Sequence, residues 1–125
     1  MSDSETLSVT ALERFDQPRN QGPLATSNGH ARITGPCGDT IEIWLEVVKG
    51  KIAKASFTTT GCGPSRASGS MATELAVGKP LEEAARIKQN DILNGLGGLP
   101  ERSRHCARLA SDTLKVAIED HRQGT

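Results

Sequence analysis

Between residues 41 and 47 apolar and polar side chains alternate without a break: Ile41, Ile43, Leu45 and Val47 against Glu42, Trp44 and Glu46. Period two belongs to a strand with one face in a core and the other toward water. Lys49-Gly50 follows as a two-residue hairpin turn, since glycine accepts positive φ. Lys51 to Thr60 then returns as a second strand, ending in the β-favouring run Phe57-Thr58-Thr59-Thr60. Ala31 to Thr34 supplies a third, shorter strand. Strands in succession without helical crossovers pair antiparallel, so everything else must pack around a small antiparallel sheet.

Beyond Gly63 the period changes. Pro64 and Ser65 open a helix carrying Ala67, Met71, Leu75 and Val77, which Gly78 closes. Pro80 starts a second helix over Leu81 to Lys88, and Asp91 caps a short one before Gly97-Gly98. The last helix is the clearest. Cys106, Leu109, Ala110, Thr113, Leu114, Ala117 and Ile118 share one face, and Ser103 or a neighbour caps it. Strands first and helices second predict an α+β domain: a small three-stranded antiparallel sheet with several helices packed on it. Residues 1–30 carry no sustained period and read as a loosely ordered, flexible N-terminal arm. Within it, Val9, Leu12 and Phe15 fall on one side of a short helical turn.

Composition removes several functions. Lys+Arg and Asp+Glu are both 15, so the formal net charge is zero. That excludes bulk-charge binding to nucleic acid or an anionic membrane. Two Phe, one Trp and no Tyr are too few for base-stacking platforms. No apolar run approaches the ~20 residues of a membrane span. The start, Met1-Ser2-Asp3-Ser4-Glu5, is polar and acidic, unlike a secretory signal. The expectation is a cytoplasmic protein without nucleic-acid or membrane partners.

The three cysteines, Cys37, Cys62 and Cys106, form no CxxC pair, and their odd number argues against a disulfide scaffold. Taken singly, each is most simply a small buried hydrophobe. Their surroundings say otherwise. Cys37 lies in Gly35-Pro36-Cys37-Gly38-Asp39 between two strands, Cys62 in Gly61-Cys62-Gly63-Pro64 before a helix, and Cys106 follows His105 at the start of the last helix. Flanking glycines let a ligand approach, and helix N-termini favour the thiolate that binds metal. Three thiolates select zinc or an iron–sulfur cluster, either of which takes four ligands. The fourth is Asp39 or His105. Such an oxygen or imidazole corner holds a cluster more weakly than a fourth thiolate, as suits a protein that must give its cluster up. His30 and His121 read as solvated, and Arg102-Ser103-Arg104 as wet surface with partner docking the lesser option.

These residues resemble the iron–sulfur cluster assembly scaffolds, IscU and the N-terminal domain of NifU. The resemblance rests on Gln17-Pro18-Arg19-Asn20, Gly35-Pro36-Cys37-Gly38-Asp39, Thr60-Gly61-Cys62-Gly63, Ser70-Met71-Ala72-Thr73-Glu74 and His105-Cys106, in order and with compatible spacing. It implies a three-stranded antiparallel sheet, with residues 31–125 as a single IscU-like scaffold domain. It also implies a non-catalytic scaffold that accepts persulfide sulfur from a cysteine desulfurase. Iron would come from a donor such as a frataxin-like protein, and a transient [2Fe–2S] cluster would pass to carriers or apo-proteins. Cys37, Asp39, Cys62, His105 and Cys106 occupy the ligand positions. Cys106 is the first choice as persulfide acceptor and Cys62 the next. Zinc could occupy the same ligands, and two protomers could share one cluster.

Three departures accompany the resemblance. The family's Leu-Pro-Pro-Val-Lys segment, read by a chaperone, is here Leu99-Pro100-Glu101-Arg102-Ser103, so chaperone-assisted release in the usual form is not expected. Pro64-Ser65-Arg66 replaces small and apolar residues after Cys62, and Arg66 places a cation near the site. The SufU branch lacks the histidine and carries an insertion that this chain does not have; NifU's further C-terminal domains are also missing, which suggests a stand-alone scaffold. Two other functions compete. One is a zinc-stabilised sulfurtransferase or persulfide-acceptor module. The other is a metal-dependent hydrolase with Asp39 or His105 as base, for which no second base or pocket is evident.

Overall fold

In the computed structural model, residues 8–61 and 63–124 are described. Three strands, β1 (Gly29–Thr34), β2 (Thr40–Val48) and β3 (Lys51–Thr59), form one antiparallel sheet in the order β1-β2-β3. Its register pairs Ala31 with Ile43 and Ile43 with Phe57. Lys49 (φ 53°) and Gly50 (φ 77°) both adopt the left-handed conformation that matches a tight hairpin to the twist of its strands. The expected α+β sheet is therefore present.

Among the described residues the helices are α1 (Val9–Asp16), α2 (Gly63–Ala76), α3 (Leu81–Ala84), α4 (Gln89–Leu96) and α5 (Arg104–Gly124). Ile41, Ile43, Leu45, Ile52 and Phe57 project from the sheet into a core closed by Ile92, Leu96, Leu114 and Ile118. α5 lies against β1 and β2, while α2 lies against β3 and α5. All seven residues predicted for the inner face of α5 are buried. Gly69 lets α2 come down onto the sheet, because a Cβ there would stand 2.4 Å from the Phe57 ring. α3 stops at Ala84 rather than Lys88. Lys88 instead starts α4, its backbone N–H donating to the Asp91 carboxylate at 2.9 Å. No helix among the described residues is long and apolar enough to cross a membrane.

The segment expected as a loose arm is tied down from Ser8 onward; residues 1–7 lie outside the described residues. Ser8 caps α1, its Oγ accepting from the Ala11 N–H at 2.9 Å. The helix turns Ala11 and Arg14 inward and leaves Val9 (73%) and Leu12 (50%) exposed, contrary to its apolar pattern. The reason lies on α2. Arg14 Nε and Nη2 donate to the two oxygens of Glu74 at 2.7 and 2.8 Å, a two-pronged ion pair that apolar periodicity cannot anticipate. Farther on, Gly22 donates to Phe57 O and Phe57 donates to Asn20 O, covering the edge of β3.

Candidate metal centre

The β1–β2 connection is a tight loop in which Gly35 N–H donates to Asp39 O at 2.8 Å and Gly38 N–H to Gly35 O at 3.0 Å. Gly38 sits at φ 93°, where a side chain would be strained. This turn leaves Cys37 exposed at the loop tip and brings Asp39 back toward the body, half-buried. α5 begins directly after a 3₁₀ turn at Glu101–Ser103, placing Cys106 in its first turn with 4% exposure. His105 is exposed, its Nε2 3.6 Å from Cys106 Sγ.

One residue joins these pieces. Ser65, in the first turn of α2 and 1% exposed, donates to Asp39 Oδ2 at 3.1 Å, and its Oγ lies 3.5 Å from Cys106 Sγ. Asp39, Ser65, Cys106 and His105 thus form a continuous polar chain across three elements. The sequence marks Ser65 as a helix opener and a departure from the family pattern, not as a bridge between Asp39 and Cys106. Cys62 lies outside the described residues. Its neighbours are placed: a Cβ on Gly61 would stand 2.4 Å from Ser65 Oγ and 2.8 Å from Asp39 Oδ2, and one on Gly63 would meet Phe15 at 2.5 Å. Both glycines are forced by close approach. Among the described residues no three His, Cys, Asp or Glu side chains are gathered tightly enough to hold a metal ion.

Other expectations are refined. Arg66 turns toward α1, its Nη2 3.4 Å from Asp16 O at the negative end of that helix. His30 and His121 are not merely solvated. The His30 ring contacts Glu42 Oε2 at 2.5 Å and lies 5.4 Å from the Trp44 ring, and His121 Nδ1 pairs with Asn28 O at 3.0 Å. In the Leu99–Ser103 segment, Pro100 and Ser103 are buried.

Burial works to raise the Glu74 carboxyl, but hydrogen bonds from Arg14 and Ser70 and the charges of Arg14 and Arg19 outweigh it and hold the group below its ordinary value. Arg14 is correspondingly raised, chiefly by its hydrogen bond to Glu74.

Residues 7–125 match the family model described as the NifU-like N terminal domain. The iron-sulfur cluster assembly scaffold protein IscU 1 of Archaeoglobus fulgidus is 40% identical over 111 residues, spanning 88% of this chain and 72% of that protein. The scaffold protein IscU of Buchnera aphidicola is 37% identical over 121 residues, covering 93% and 94%. A crystal structure of a NifU-like protein (N-terminal) from Brucella abortus superposes with a TM-score of 0.73 over 94% of this chain and 95% of that one, at 20% identity; this likeness speaks to the fold.

Proposed function

This chain belongs to the family of NifU-like N-terminal domains, and on that premise we propose that it is a scaffold on which iron–sulfur clusters are assembled and from which they are passed on. The observation that carries this is the chain from Asp39 through Ser65 to Cys106 and His105, with exposed Cys37 two residues from Asp39. Soft and hard donors stand close together here, so a cluster can be gripped by thiolates and released at one weaker corner.

Sulfur arrives as a persulfide on a cysteine desulfurase. The Cys106 thiolate attacks the outer sulfur; the new S–S bond forms on Cys106 as the donor's S–S bond breaks, and the donor cysteine leaves as a thiolate. Cys62 is the second candidate for this step. Converting sulfane sulfur to sulfide consumes an electron pair from a partner reductant. Iron comes from a donor protein, a frataxin-like one among the candidates, and the finished [2Fe–2S] cargo is held by Cys37, Cys62, Cys106 and Asp39 or His105. Carriers and apo-proteins receive it. The chain acts as a stoichiometric acceptor rather than a turnover catalyst, works in the cytoplasm, and can share one cluster between two protomers. Zinc suits the same ligands when iron is lacking. The names of the relatives lend no support to a zinc-stabilised sulfurtransferase.

Protein purified without oxygen, then supplied with iron, cysteine and a desulfurase, is expected to develop visible charge-transfer bands with matching iron and acid-labile sulfide. A colourless product under these conditions overturns the proposal. Cys106→Ser is expected to lose the persulfide label; label retained on Cys62 reassigns the acceptor.

A further inference from the structure

Two donors compete for the fourth corner of the cargo, and they stand in different relations to Cys106. His105 lies beside the sulfur directly, with its ring nitrogen 3.6 Å away and its side chain exposed. Asp39 reaches it only through Ser65. The Ser65 hydroxyl has one proton to give. Its contact to Asp39 Oδ2, 3.1 Å, is shorter than the 3.5 Å to Cys106 Sγ, and a carboxylate is the strong acceptor of the two. Ser65 is 1% exposed, and glycine at position 61 leaves the space in which its hydroxyl and the carboxylate meet.

From this geometry we propose that Ser65 is a positioning residue that decides the fourth ligand: by anchoring one oxygen of Asp39 beside Cys106, it assigns the corner to the carboxylate and keeps His105 out. The proposal rests on the scaffold reading and names the device that sets how readily that site gives up its cargo. Hydrogen-bond partners behind a ligand fix its orientation, and losing one typically costs roughly 10- to 100-fold in affinity at that ligand. Here the loss frees Asp39 to swing away, and imidazole, a proven partner for iron–sulfur clusters, takes the position.

Ser65→Ala deletes a single oxygen and tests this in two stages. In metal-free protein the carboxyl carbon resonance of Asp39 is expected to shift in the variant; an unchanged resonance overturns the anchor. After anaerobic reconstitution, the reduced wild-type cluster is expected to lack nitrogen coupling in pulsed electron paramagnetic resonance. Ser65→Ala should gain it, and Ser65→Ala/His105→Ala should lose it again. Cluster lifetime under a chelator should rise several-fold in Ser65→Ala as imidazole replaces the carboxylate, with no further change when Ser65→Ala is added to Asp39→Ala. Nitrogen coupling already present in wild type, or a lifetime effect that persists undiminished in the Asp39→Ala background, overturns the assignment. If wild type takes up no cluster at all, the scaffold reading itself fails, and the assignment of the corner falls with it. If wild type loads normally and Ser65→Ala matches it in spectrum and lifetime, only the positioning role fails.

Discussion

The two ends of α2 hold their neighbours in opposite ways. Along its later turns, Ser70, Thr73 and Glu74 take contacts from Arg14, Arg19 and Asn20. Arg19 N–H donates to Ser70 Oγ at 2.8 Å, Asn20 Nδ2 to Thr73 Oγ1 at 3.2 Å, and Arg14 fills both oxygens of Glu74. At the first turn, among the described residues, the Ser65 hydroxyl bridges Asp39 to Cys106, and Cys37 and His105 are exposed. Redundant polar bonds suit a joint that should never open. Sparse bonds suit a place where cargo must enter and leave, and regions of low bond density are where proteins open locally at small cost. On the proposed scaffold function, one helix thus carries the clamp and the exchange site a few turns apart.

If that division holds, Cys37→Ser should separate function from stability most sharply. The residue sits exposed at a loop tip. Cluster retention after reconstitution should be lost, while the unfolding free energy stays within about 0.5 kcal/mol of wild type. A thermal melt that falls by several degrees would mean that the loop supports the fold and would erase the distinction. Glu74→Gln is the reciprocal change. It leaves the guanidinium of Arg14, buried against α2, with only the exposed carboxylate of Glu13 as countercharge. Charged hydrogen bonds contribute about 1.5–3 kcal/mol, and the pair is only partly desolvated, so a loss of about 2 kcal/mol is expected in chemical denaturation. Cluster assembly at low temperature should survive. Destabilised protein that also fails to ligate would show the clamp and the site to be one cooperative unit.

Asp39→Ala sharpens the site end. With the carboxylate gone the fourth corner passes to His105, a softer donor, and the cluster should outlast wild type by roughly 10-fold against a chelator. Equal or faster loss would mean that Asp39 is not the weak corner.

The same contrast explains what the sequence could tell. Alternation from Ile41 to Val47 is a local signal, and the sheet and its turn followed from it, as the inner face of α5 followed from helical spacing. Asp39 and Cys106 stood out as candidates because glycine loops and helix starts advertise themselves locally. Arg14 and Glu74 are 60 positions apart, and no period links them. Their ion pair reversed the facing of α1, burying an arginine where Val9 and Leu12 had the better apolar claim. Ser65 escaped for a related reason: a serine in a first helical turn normally faces water or caps the helix, and only the approach of Gly61 and Asp39 makes it a buried bridge.

The smallest effect is the most specific to the clamp. The Glu74 carboxyl titrates below its ordinary value in the folded chain and near about 4.3 once unfolded. Unfolded chains therefore bind a proton at this position more readily than folded ones as the pH drops, and stability falls with it. The contribution is complete above the unfolded value and is lost as the pH falls through the lower, folded one. Arg14, raised in turn, stays charged throughout. The stability difference between wild type and Glu74→Gln should hence be constant from about pH 6 to 8 and shrink below about pH 4.3. Urea denaturation of both proteins across that range measures it. A difference that persists undiminished in acid would assign the clamp to packing of the side chains rather than to their charges, and the two ends of α2 would then differ in tightness alone.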